Sequence, residues 1–232
     1  MMRKQTDLRV RRTNVLLRDA LIDLIPEKGF DAVTVGDISK RAMVNRATFY
    51  RHYQDKYDLV ASIFQEAVDS LISELGSPPD DFESFYGLIR DFCVAPANQV
   101  SPDLNLSLEA WSKFFEHFAR HVRLYRAMLG KRGNTWFTAQ MINYIADGFQ
   151  KRAMRSRLAS QVLQSQKEGD MPLDVAMACM ASWLVSVLTW WLENGMTYSP
   201  QQIGIWSLLF ISRGFHFAMG INISVLTGSN DA

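Results

Sequence analysis

The chain has 232 residues, 48% of them apolar, with 7 Pro and 13 Gly. That is enough for one large or two modest packed domains, and too little Pro and Gly for a disordered chain or a turn-rich all-β fold. Net charge is +1, which excludes a polycation, but residues 1–57 carry 12 Lys/Arg against 7 Asp/Glu while residues 58–232 carry 13 against 17, a basic head on a mildly acidic body.

Taken in order, the pattern is helical almost throughout. The first helix is predicted over residues 6–28, with Val10, Leu17, Leu21, Leu24 and Ile25 near helical spacing, Pro26 in its last turn and Gly29 as C-cap. Thr34 N-caps a helix over 35–42. After a tight turn, Asn45 N-caps a helix over 46–52. A fourth helix over 55–75 carries Leu59, Ile63, Ala67, Leu71 and Leu75 on one face. Residues 76–81, Gly-Ser-Pro-Pro-Asp-Asp, form the clearest break in the chain. Further helices are predicted over 82–94, 106–129, 134–167, 173–194 and 200–220, with a loop at 96–102 and a frayed last dozen residues. No strand is predicted. The expected fold is all-α, about nine helices: a three-helix N-terminal head, a long fourth helix, and a C-terminal helical bundle.

Residues 175–192 carry no charge, which is the lower limit for a bilayer span. Ser182, Ser186 and Thr189 interrupt the segment, and Asp174 and Glu193 bracket it without basic anchors, so a buried helix is expected and no membrane partner. Cys93 and Cys179 have no CxxC spacing and read as reduced, semi-buried thiols, with no disulfide and no metal site. Arg3 and Lys4 are followed by no apolar stretch of the kind a secretory signal needs, and a cytoplasmic protein is expected.

A short helix, a tight turn and a second short helix rich in long donors is how a helix-turn-helix presents a probe to the DNA major groove. Here the runs are Gly29-Phe-Asp-Ala-Val-Thr-Val-Gly-Asp-Ile-Ser-Lys-Arg-Ala42 and Val44-Asn-Arg-Ala-Thr-Phe-Tyr-Arg-His-Tyr-Gln-Asp-Lys56. In these runs residues 8–75 resemble the DNA-binding domain of the TetR family of bacterial transcriptional regulators. The resemblance implies an all-α homodimer that binds double-stranded operator DNA, with a variable C-terminal domain that binds a small-molecule effector. The implied division is a DNA-binding domain over 1–54 and a ligand-binding and dimerisation domain over 55–232.

Within the head, Ile38, Ala42, Val44 and Phe49 supply the apolar contacts that fix the two short helices. The DNA-binding set is Thr34, Asn45, Arg46, Ala47, Thr48, Tyr50, His52 and Lys56. Arg46 can read a guanine edge bidentately, Thr48 can meet a thymine methyl or a phosphate, and Tyr50 and His52 can donate to phosphate oxygens. Lys56 and Thr34, each at a helix start, are expected to face phosphates. Two positions depart from the family pattern. Met43 stands where glycine is usual, so a changed turn geometry is expected; Gly36 stands where many relatives carry a larger residue, so a DNA contact is expected to be missing.

The run Leu188-Thr-Trp-Trp-Leu-Glu-Asn-Gly-Met-Thr-Tyr-Ser-Pro200 resembles the penultimate-helix end of one C-terminal subgroup, whose last two helices pair with their copies. The expected dimer face comprises Met180, Leu184, Val187, Leu188 and Trp191 with Leu208, Ser212, Phe215 and Met219. Effector-binding candidates are Trp111, Phe114, Phe118, Tyr125, Met141 and Tyr144, with His117, His121 and Asn143 as polar groups. A basic cluster, including Arg120, Arg123, Arg126, Lys131 and Arg132, reads as a solvated face. No catalytic constellation, phosphate loop or cofactor motif is present, so an enzyme is not expected. The function read is a one-component regulator, a repressor released by its effector. The alternative is a co-regulator of the same fold that acts through a protein partner.

Overall fold

The computed structural model describes residues 2–75, 102–155 and 171–218, and every regular element among them is an α-helix. Nine are described: α1 (Met2–Lys28), α2 (Val35–Arg41), α3 (Arg46–His52), α4 (Lys56–Leu75), α5 (Pro102–Arg120), α6 (Val122–Leu129), α7 (Thr135–Arg155), α8 (Leu173–Glu193) and α9 (Pro200–Ala218). The helix expected over 82–94, most of the loop at 96–102, residues 156–167 of the helix expected over 134–167 and the last dozen residues lie outside the described residues.

One expectation is corrected at His121. The single helix read over 106–129 is two helices, because His121, at φ −103° and ψ 29°, leaves the helical region between α5 and α6. Neither Gly nor Pro marks that break in the sequence.

The described residues form two compact units. The first comprises residues 1–70 and 121–139 and so holds α1, α2, α3 and α6 entire. Leu17, Leu21, Leu24 and Ile25 of α1 are buried, as their helical spacing requires, whereas Val10, read with them, is exposed. Phe30, Ile38, Phe49, Leu59, Ile63, Tyr125, Met128 and Phe137 complete this core. Burying each such side chain contributes about 1.5–3 kcal/mol. At the end of α1, Gly29 takes φ +81° and its N–H donates to the Ile25 carbonyl at 2.8 Å, a left-handed cap that turns the chain. The loop between α6 and α7 is fastened there. The Phe30 N–H donates to the Arg132 carbonyl at 2.9 Å, and the Arg132 guanidinium donates to the Pro26 carbonyl at 3.0 Å. Arg123 of α6 pairs with Asp23 of α1.

The second unit comprises the described residues among 71–120 and 140–218. Here α9 packs along α5 and against α8. Phe115, Phe118, Met141, Ala181, Leu184, Leu188, Trp191 and Leu208 fill its core, with Phe115 and Trp191 edge to face at 5.7 Å. The Trp191 indole N–H donates to the Tyr198 carbonyl at 2.9 Å and ties down the turn between α8 and α9. Helix α8 is long and apolar enough to cross a membrane by length and composition, and 50% of its most apolar window is buried inside the protein. Cys179 is exposed rather than semi-buried; Cys93 lies outside the described residues.

Candidate nucleic-acid interface

The site is built on α2 and α3. Thr34 opens α2 with a capping box: its hydroxyl accepts from the Asp37 N–H at 3.1 Å, and the Asp37 carboxylate accepts from the Thr34 N–H at 3.0 Å. The Thr34 hydroxyl proton also goes to Asp37, at 2.8 Å, and Lys28 donates to the same carboxylate at 2.8 Å. Lys28 first, then Thr34, hold the Asp37 carboxyl well below the usual carboxylate range.

The turn after α2 keeps the left-handed conformation. Met43 has φ +54°, the Val44 N–H donates to the Ser39 carbonyl at 3.0 Å, and the Met43 side chain is 90% exposed. The expected change of turn geometry therefore does not occur. Methionine sits where glycine is favoured, at about 1–2 kcal/mol of backbone strain. Asn45 then caps α3, accepting from the Ala47 N–H at 2.9 Å. Phe49 is fully buried and touches Tyr50 and Tyr53, which anchors the short helix. Around that anchor Arg46, Ala47, Tyr50 and Arg51 are exposed, Tyr50 by 59%, and Thr48 and His52 are half-buried.

The rest of the expected set divides by what already occupies each group. Asn45 and Thr34 spend their side-chain oxygens on helix caps. Lys56 donates to the carbonyls of Phe30, Asp31 and Val33 at 3.0, 2.9 and 3.0 Å, and its ammonium lies 4.5 Å from the centre of the Phe30 ring. An ammonium has three N–H donors, and all three are engaged. Arg46, by contrast, has no hydrogen-bond or ion-pair partner among the described residues, and its guanidinium lies over Gly36 of α2. No sequence feature signalled the role of Lys56, because its acceptors are backbone carbonyls.

This capped helix-turn-helix falls within residues 17–63, which match the family profile described as bacterial regulatory proteins, tetR family. Residues 107–204 match the profile described as a transcriptional regulator C-terminal region. The chain belongs to the TetR family. It is 37% identical over 82 residues to the HTH-type transcriptional regulator YxbF of Bacillus subtilis, covering 34% of this chain and 22% of YxbF. It is 33% identical over 78 residues to IcaR of Staphylococcus epidermidis, a negative transcriptional regulator of the biofilm operon icaADBC, covering 32% of this chain and 42% of IcaR. The chain thus spans less than half the length of either relative. A TetR transcriptional regulator from Streptococcus agalactiae shares the fold, with a TM-score of 0.53 at 18% identity over 90% of this chain and 98% of that one.

In this TetR chain five of the nine residues of the expected dimer face are enclosed by their own chain. Met180, Leu184, Leu188, Trp191 and Leu208 are buried within the single chain, where they form the core of the second unit. A side chain already enclosed by its own chain has no surface left for a partner. Val187 is half-buried; the side chains of Ser212 and Phe215, and Met219 entire, lie outside the described residues. The opposite faces of the same helices carry the exposed aromatics. Trp190 is 50%, Trp206 47% and Phe210 62% exposed, with Phe210 stacked on Trp183 at 4.7 Å and Tyr198 against Trp206 at 4.9 Å.

The effector candidates divide by unit. Trp111, Phe114 and Phe118 of α5 form one ring cluster of the second unit, with Phe114 and Phe118 at 4.8 Å. Trp111, Phe118 and Met141 are buried, and Phe114 and Tyr144 half-buried. Tyr125 is fully buried in the core of the first unit. Of the polar groups, Asn143 is exposed, and His117 is buried with Nδ1 3.1 Å from Glu74 Oε2, a carboxylate that also pairs with Arg120. Within the basic cluster Arg120 is engaged by Glu74, Arg123 by Asp23, and Arg132 by the Pro26 carbonyl.

Proposed function

We propose that this chain is a one-component transcriptional repressor that binds palindromic operator DNA as a homodimer and is released by a small-molecule effector. The observation that carries the reading is the donor row of exposed Arg46 and Tyr50 with half-buried Thr48 and His52, on a seven-residue helix whose one large apolar anchor, Phe49, is buried. A head that never met DNA would have no use for that row. Arg46 is the base reader, and Tyr50 and His52 donate to phosphate oxygens. Thr34 and Asn45 preserve the helix starts from which those groups project. Two heads are required, because successive major grooves recur about 34 Å apart along a palindrome. The exposed aromatic faces of α8 and α9 supply the dimer contact. Repression follows the named role of IcaR. Effector binding acts through α4, whose residues are divided between the two units, by differential affinity for two states.

The co-regulator alternative would gain from Met43 and Gly36 if those two departures from the family pattern disturbed the reading head. Met43 keeps the turn, and the space above Gly36 is taken up by Arg46, so neither position favours it. The deciding experiment titrates the purified chain against duplex DNA from the region upstream of its own gene across a salt series. Steep salt dependence, with affinity lost in Arg46→Ala and Tyr50→Ala variants that remain folded, is the expected result. Binding no tighter than to a random duplex would overturn the reading for that site.

A further inference from the structure

Gly36 is the second residue of α2, and its backbone is helical with no positive φ to call for glycine. A helical glycine is unfavourable relative to alanine, so the local chain gains nothing from it. What it provides is space. A Cβ at residue 36 would meet Arg46 Cζ at 3.1 Å and Nε at 3.3 Å, with the guanidinium nitrogen closer still. The arginine is there without an acceptor to draw it: no described residue hydrogen-bonds to it. The carboxylate next to Gly36 in sequence, Asp37, is already held by Thr34 and Lys28. Arg46 therefore lies across α2 because the surface there is bare, with its N–H fork unspent.

We propose that Gly36 is a specificity-determining position of the DNA-reading head: by lacking a side chain it lets Arg46 span both short helices and present its fork to a guanine edge. The inference rests on the DNA-binding role proposed above and adds a second residue to it. The pair acts as one reader. A side chain at residue 36 does not remove the arginine but pushes its guanidinium off the bare start of α2. A fork displaced by an ångström or two no longer meets both N7 and O6 of guanine.

The test is selection of bound duplexes from a random pool by the full chain, followed by binding titrations on the selected site and on its single-base variants. The proteins are wild type, Gly36→Ala, Arg46→Ala and the double variant. Wild type is expected to select a site with a guanine at which replacement costs about tenfold or more. Gly36→Ala is expected to melt no lower than wild type, since alanine favours the helix, yet to lose that guanine preference. The double variant is expected to bind no more weakly than Arg46→Ala alone, because the two substitutions remove one contact. Guanine preference retained in Gly36→Ala, or losses that multiply in the double variant, would overturn this inference and leave the DNA-binding reading standing. A wild-type chain that enriches no sequence would overturn both.

Discussion

The Lys56 ammonium donates to the carbonyl oxygen of Val33 at 3.0 Å, and the same group reaches the carbonyls of Phe30 and Asp31. It thereby closes the loop that delivers the chain from α1 to α2. Hydrogen bonds to a charged donor contribute about 1.5–3 kcal/mol. Lys56→Met should lower stability by about that amount in a urea titration, with the loop carbonyls left to water. Its effect on DNA binding should follow the folded fraction, with the salt slope unchanged. A slope reduced by about one unit would instead mark Lys56 as a phosphate contact.

The capping box makes the head sensitive to acid. Lys28 and Thr34 hold the Asp37 carboxyl below its ordinary value, so between its folded and unfolded pKa the unfolded chain binds the extra proton. The stabilisation is fully present above the unfolded value, about 3.9, and fades as pH falls toward the folded one. The gap in urea midpoint between wild type and Asp37→Asn should therefore be larger at pH 6 than at pH 2.5. A gap of equal size at both would show that the carboxylate charge contributes nothing.

Met43 holds φ +54° at the helix-helix turn with its side chain 90% exposed, so it has strain to lose and almost no packing. Met43→Gly relieves a left-handed penalty of about 1–2 kcal/mol and adds unfolded-state entropy of about 0.5–1 kcal/mol. The net expectation is a gain of up to about 1.5 kcal/mol, read as a higher melting temperature with the helix content of wild type. A lower melting temperature would mean that the methionine side chain makes a stabilising contact.

Periodicity and caps made much of this fold legible. Leu17, Leu21 and Ile25 on one side of α1, Thr34 and Asn45 before two short helices, and Pro200 at the first position of α9 all mark their elements locally. Other features were not legible. His121 breaks a helix with neither Gly nor Pro to mark it. Lys56 is claimed by three carbonyls that leave no trace in side-chain pattern. Apolar all-round helices such as α8 do not declare which face is core, so Leu188 and Trp191 read as interface when they are interior. The DNA-facing row was readable because its chemistry is local to one helix; the space above Gly36 was not, since it depends on where Arg46 lies.

The exposed aromatics of α8 and α9 give the proposed dimer face a direct test. Trp183 and Trp190 are seven residues apart on α8, and Trp206 and Phe210 four apart on α9, so each pair shares a helix face. Phe210 stacks on Trp183, while Trp190 and Trp206 both meet Tyr198. Aromatic surface on this scale is what subunit contacts bury, and a charge placed in it would be left desolvated and unpaired. Trp206→Asp and Phe210→Asp should therefore sediment as folded monomers at micromolar concentration, with little change in helical signal. They should also bind a palindromic operator far more weakly than a two-headed protein. Leu188→Ala should behave differently: it opens a cavity inside one chain, costs about 2–5 kcal/mol of stability, and leaves the folded fraction dimeric. Dimers that persist in both aspartate variants would place the contact elsewhere on the molecule.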